Sequence, residues 1–208
     1  MMPSMNKLEK NSKGRPCTFS REELINTVTE MFWEEGYKSL SLNKVAQKMG
    51  LSRTSLYNSF KTKEDLFLEC FNHYILNSPT QKLRQHQPGQ AVGELLYTVL
   101  YEICEKRAQD PKNRGCLVAN IYQELLNDET PLGQKLMEKN DARKENMIQI
   151  IECAVQQKEL PQETNTKITA FIILSFMTGL NAHAKSGATE KEMKEMCRIF
   201  LKNTGLKH

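Results

Sequence analysis

The amino-acid sequence predicts an all-α protein of about nine helices, a small helix-turn-helix domain followed by a longer helical bundle. Three observations predict it. Apolar residues recur at intervals of three and four along most of the chain, capping residues stand ahead of those runs, and no segment alternates with the period of two that a strand requires. A chain of 208 residues has room for a small module and a larger one, and 39% hydrophobic with 26% charged residues excludes wholesale disorder.

Residues 1–18 carry Ser, Asn, Lys, Gly and Pro without apolar periodicity and read as a flexible basic arm. Ser20 and Glu23 make a capping box, after which Leu24, Val28, Met31 and Phe32 recur at helical spacing until Gly36 stops the first helix. Ser41 caps a short second helix in which Val45, Ala46 and Met49 share a face and which Gly50 ends. Ser52 caps a third, whose buried face is Leu51, Leu56 and Phe60; Arg53, Thr54, Tyr57 and Asn58 are left facing outward. Thr62 and Asp65 form another capping pair before a longer helix carrying Leu66, Phe67, Cys70 and Tyr74. Beyond it, helices are expected over 91–109, 116–127, 131–157, 163–185 and 189–204, separated by Asp110-Pro111, Thr130-Pro131, Leu160-Pro161 and Ser186-Gly187. The domains are therefore 19–65 and 66–208, with the boundary inside the helix that starts near Lys63.

The charge distribution divides the chain at the same place. Between Gly36 and Lys63 stand six basic residues (Lys38, Lys44, Lys48, Arg53, Lys61, Lys63) and no acidic one. Beyond Asp65 the 18 basic and 17 acidic residues nearly cancel, so the net charge of +4 belongs to the first third. An acid-free stretch of 28 residues points to a polyanionic partner. The six cysteines, at 17, 70, 104, 116, 153 and 197, contain no Cys-x-x-Cys pair, so no metal site or cofactor is expected. No secretory leader is legible and the longest apolar run, 170–177, is far short of the ~20 residues that span a bilayer. A cytoplasmic protein that does not enter the membrane is expected. An enzyme finds no support, because the histidines at 73, 86, 183 and 208 are isolated and there is no Gly-rich phosphate loop.

Two short helices joined through Met49-Gly50-Leu51-Ser52 satisfy a helix-turn-helix, with Gly50 for the turn and Ala46 for close approach. Phe32, Gly36-Tyr37, Ser41, Val45-Ala46, Gly50, Ser52, Leu56-Tyr57, Phe60, Lys63 and Leu66 together resemble the tetracycline-repressor (TetR) family, and Lys13-Gly14-Arg15-Pro16 resembles the arm many of its members carry. The likeness covers roughly residues 13–70 and departs at Trp33, where a small residue is usual, and at Cys17, where a basic one often follows the proline. It implies a homodimeric repressor whose paired third helices enter successive major grooves of double-stranded operator DNA. The residues agree with it. Arg53, Thr54, Tyr57 and Asn58 would meet base edges and nearby phosphates, Ser52 caps that helix, Ser41 and Lys63 sit where helix N-termini favour phosphate, and Arg15 would enter a minor groove.

The resemblance implies that residues 66–208 are the effector-binding and dimerisation domain. Tyr97, Tyr101, Cys104, Cys116, Asn120, Tyr122 and Glu124 are candidates to line a site for an unknown small-molecule effector. Arg114-Gly115-Cys116-Leu117 looks like a segment of one branch of the family in which cysteine-based sensing occurs; a thiol at a helix N-terminus beside Arg114 would have its thiolate favoured. The helix around 168–184 is apolar nearly all round. Phe171, Leu174, Ser175, Gly179 and Ala182, with Met193 and Phe200 of the following amphipathic helix, are the expected dimer interface.

Overall fold

The computed structural model describes residues 20–206, in which ten helices and no strand form. Two compact units result, the first ending at His73 and the second beginning at Tyr74, so the division falls within the fourth helix and beyond residue 65.

In the first unit, α1 (Arg21–Ser39) starts at the Ser20/Glu23 capping box and leaves helical geometry at Gly36, after which one turn carries on to Ser39. α2 (Leu42–Met49) is capped by Ser41, which accepts from the Lys44 amide, and ends at Gly50 in the left-handed region at φ 61°. The Gly50 and Leu51 amides donate back to Gln47 O and Ala46 O at 3.2 and 2.9 Å, which turns the chain sharply into α3 (Arg53–Ser59). α4 (Lys63–Leu76) opens with the Thr62/Asp65 pair, each backbone amide bonded to the other's side chain. These short helices hold together through their interior: Val28, Phe32, Leu40, Val45, Leu56, Leu66 and Phe67 are sealed from solvent, and Phe67 meets Phe32 edge-on at 5.0 Å. Cys70 is fully buried there, and burial pushes its thiol up to about 12.

The second unit contains α5 (Gln81–Arg84), α6 (Val92–Ala108), α7 (Leu117–Leu125), α8 (Pro131–Gln156), α9 (Thr166–Lys185) and α10 (Glu190–Thr204). α8 packs along α9 and α6 along α10. Leu96, Leu100, Ile103, Ile151, Ile173, Leu180 and Leu201 fill the space between them. The free amides at the start of α6 are taken by the Glu159 carboxylate, which accepts from Val92 N and Gly93 N at 2.9 Å each. Only α5 was not expected: four residues are too few to show a period.

Candidate functional site

The outward face of α3 is as the helical pattern requires. Leu56 is 1% exposed beneath it, while Arg53, Thr54, Tyr57 and Asn58 are exposed, Tyr57 by 49%. Seven residues would not hold a helix alone, so the ends matter. Ser52 Oγ accepts from Ser55 N at 3.0 Å, and Phe60 N closes the last turn onto Leu56 O at 2.9 Å. Phe60 is buried, and the Arg21 guanidinium lies 4.7 Å from its ring while forming a two-bond pair with Glu69. α3 is thereby tied to α1 and α4 at one end and to α2 at the other, leaving its polar face to solvent.

The surrounding basic residues are not equivalent. Ser41 is exposed at the head of α2, whose first turn carries no acid. Lys44 is taken by Glu35 at 2.7 Å. Lys63 is half-buried with its ammonium 4.4 Å from the centre of the Tyr37 ring, and Glu64 and Asp65 share its helical turn. The negative charge of that turn works against a phosphate on the α4 amides themselves, so the Lys63 side chain is the group that offers positive charge there. Arg15 and Cys17 lie outside the described residues.

A cavity of about 270 Å³ opens in the second unit among α4, α5, α7, α8 and α9. Of the candidate effector residues, Cys116 and Tyr122 line it; Tyr97, Tyr101, Cys104, Asn120 and Glu124 do not. Tyr97 and Tyr101 stack on one another at 4.1 Å between centroids, Cys104 is fully buried with its sulfur 3.5 Å from that of Cys197, and Asn120 Nδ2 donates to Arg114 O. The spacing of α6 cannot separate core from cavity, because both need apolar and aromatic residues on an inward face.

Cys116 is the N-cap of α7. The Arg114 guanidinium pairs with Asp110 at 3.0 Å, and the same carboxylate accepts from Arg114 N at 2.7 Å. Burial would raise Asp110, and the Arg114 guanidinium and amide overcome that and hold it below the usual carboxylate value. The Tyr74 hydroxyl accepts at 3.3 Å from the amide of Leu117, the residue next to Cys116. Gly115, at φ 70°, brings this loop so close to α9 that a Cβ would stand 3.0 Å from Asn181 O. The sequence signal for this loop is Asp110-Pro111, which marks a turn without showing which residue the carboxylate pairs with.

Among the expected dimer residues, Ser175 and Ala182 are exposed, Gly179, Phe171 and Phe200 are half-buried, and Phe200 stacks on Phe176 at 3.9 Å. Leu174 and Met193 point inward: Met193 is fully buried in the core and Leu174 lines the cavity, which leaves neither a surface to offer a second copy. The exposed apolar residues of these helices are instead Ile168, Ile172 and Ile199, at 50%, 53% and 49%.

Among the described residues no group of His, Cys, Asp and Glu is arranged to hold a metal ion, and no helix is long and apolar enough to cross a membrane.

The family model for bacterial regulatory proteins of the tetR family matches residues 24–70, and that for the tetracyclin repressor-like C-terminal domain matches residues 96–200. Among similar proteins, the HTH-type transcriptional repressor ComR of Escherichia coli is 24% identical over 93% of this chain and 92% of its own length. The HTH-type transcriptional repressor BdcR, also of Escherichia coli, is 30% identical over 50% of this chain and 53% of its own. Among solved structures, a cysteine mutant of the TetR family transcriptional regulator CifR, complexed with 26bp double-strand operator DNA, superposes with a TM-score of 0.73 at 23% identity, covering 91% of this chain and 98% of that one. The first family model spans α2, α3 and their caps, and the second spans the helices that enclose the cavity from α7 to α9. The chain belongs to the TetR family of bacterial regulatory proteins and is, by that membership, a DNA-binding transcriptional regulator.

Proposed function

We propose that this regulator is a cytoplasmic repressor that holds a near-palindromic operator as a homodimer and lets go when a small molecule fills the cavity of its second unit. The observation that carries the reading is the face of α3: Arg53, Thr54, Tyr57 and Asn58 stand exposed together on a helix in a stretch without acids. ComR and BdcR are repressors and CifR is held on operator DNA, which supports the same reading. Arg53 supplies the forked donor that reads guanine best, Asn58 the amide that reads adenine, and Ser41, Lys63 and the arm's Arg15 set the register through phosphates and the minor groove.

Two copies joined through Ile168, Ile172 and Ile199, with Ser175, Gly179 and Ala182 between them permitting close approach, would present two α3 helices about 34 Å apart. A ligand changes the population of dimers with that spacing. A reactive effector entering the cavity would meet the Cys116 thiol on its wall. Selection of bound sequences from a random duplex pool tests the whole: a two-fold symmetric consensus is expected. A protein that ignores duplex DNA of every sequence at low ionic strength is not an operator-binding regulator.

A further inference from the structure

We propose that the cavity of the second unit is built for an organic monoanion, an apolar body bearing one carboxylate, whose charge is taken up by Arg143. This rests on reading that cavity as the effector site.

Its wall is mainly apolar, with Leu83, Val118, Leu126, Met147, Leu174 and Met177 facing the space. Several neutral polar groups on it are already engaged by the protein. Thr178 Oγ1 donates to Leu174 O at 2.9 Å, Asn146 Nδ2 to Leu83 O at 3.1 Å, and Asn181 Nδ2 to Met177 O at 2.7 Å. Ser78 and Thr80 bond each other at 2.9 Å. Three cations also line the space, Arg84, Lys139 and Arg143, and among the described lining residues there is no carboxylate.

Arg143 is the one of these that needs a guest. Arg84 is exposed to water, and Lys139, also half-buried, already has a partner within the protein. Arg143 is half-buried, and the groups whose potential acts on it are Tyr122 and Cys116 rather than an acid. Burial pulls the Arg143 guanidinium below its usual value, opposed by those two neighbours. Tyr122 is not a counter-ion at neutral pH, because burial pushes its hydroxyl up to about 12 and leaves it a neutral phenol. Two other arginines of the same unit show what a satisfied one looks like: Arg114 has Asp110, and Arg107 donates to Asn181 Oδ1 at 2.6 Å. A guanidinium withdrawn from water beside an apolar space is half of an ion pair, and a carboxylate matches its forked donors in two parallel bonds. The volume, near the lower end of the ~300–1,000 Å³ of small-molecule sites, suits a short aliphatic chain or a single ring behind that headgroup.

The test is calorimetric titration of the full chain with the linear carboxylates from butanoate to dodecanoate and with the primary alcohols of equal length. A carboxylate in the series should bind saturably, at least tenfold more tightly than its alcohol. Arg143→Met should abolish that preference, weakening the acid at least tenfold, leaving the alcohol unchanged and not lowering the melting temperature of the ligand-free protein. Arg143→Gln, which keeps donors without charge, should do the same and serves if the Met variant does not fold. Cys116→Ser should retain the preference. The proposal is overturned if no carboxylate binds, if acid and alcohol bind alike, or if the preference follows Cys116 instead of Arg143. Operator binding by the ligand-free protein is measured alongside. Intact operator binding without a carboxylate site overturns this inference alone, whereas a carboxylate site in a protein that binds no duplex overturns the regulatory reading and leaves the site standing.

Discussion

The two units of this chain use polar residues in opposite ways. In the first, the interior is apolar apart from small groups such as Thr29, and the residues that matter for recognition stand in water on α3. In the second, charge is drawn inside: Arg107 and Asp110 are buried, Arg114 is nearly so, and Arg143 faces the cavity. A surface that reads a polyanion needs its charges hydrated and free to re-pair, at little cost to the fold. A cavity that admits a guest needs its polar groups fixed in advance, and fixing them within a low-dielectric interior makes each one matter to stability. Substitutions should therefore separate the units: changes on the α3 face alter binding alone, and changes to the paired buried charges of the second unit, Asp110 with Arg114, alter folding.

The largest effect is expected at Asp110. Asp110→Ala leaves Arg114, whose side chain is 14% exposed, without its carboxylate and removes the acceptor of the Arg114 amide. A loss of about 3 kcal/mol is expected at neutral pH, a fall in melting temperature on the order of 10 °C. The sign with pH follows from the lowered value of this carboxyl. Its contribution is complete above the ordinary carboxylate value of 3.8 and is lost as pH falls through the lower value of the folded state, so the gap between wild type and variant should narrow as the pH is taken progressively below 3.8. Thermal melts at pH 7 and in acid check both statements; equal stability at pH 7 would place Asp110 with the surface ion pairs.

Arg53→Ala should do the reverse. Removal of one forked base contact per protomer weakens binding to the selected operator by about 1–3 kcal/mol for each half-site, roughly fivefold to 150-fold each, and relaxes preference at one position in each half-site. The side chain is exposed, so the melting temperature should stay within about 1 °C. A stability loss like that of Asp110→Ala would erase the contrast between the units.

That contrast also explains what could be read in the sequence. Each helix of the first unit announces itself locally: Ser20 with Glu23, Ser41, Ser52 and Thr62 with Asp65 cap where expected, Gly50 turns the chain, and Leu56 marks which side of α3 is inside. The outward face of α3 is what remains when the buried face is subtracted. The cavity has no such local signature. Leu83, Cys116, Tyr122, Arg143 and Met177 come from four separate helices, and Arg143 sits in a run of charged residues that looks like any solvated helix face. Tyr97, Tyr101 and Cys104 have the spacing of one helix face, but tertiary packing divides it, leaving Tyr97 37% exposed, Tyr101 half-buried against the core and Cys104 inside it. Met193 was misplaced for the same reason: an amphipathic stripe shows that a residue is buried without showing against what.

The smallest effect, and the finest probe of the contrast, is expected at Lys63. As a phosphate contact it should follow counterion release: Lys63→Ala lowers affinity for operator and unrelated duplex alike and reduces the slope of log K against log salt by ~0.9 per protomer. Its ammonium also lies 4.4 Å from the Tyr37 ring, an arrangement worth ~0.5–1 kcal/mol at a partly exposed site, so a fall of a few degrees in melting temperature should accompany the change. The two contributions separate in Tyr37→Leu, which keeps the charge and removes the ring. If Lys63 is chiefly a phosphate contact, Tyr37→Leu retains the salt slope while lowering stability; if the slope falls equally in both variants, the ring positions the ammonium for the phosphate. A salt slope untouched by Lys63→Ala would make Lys63 a fold residue, and the division between a hydrated reading surface and a structural interior would then run through the first unit instead of between the two.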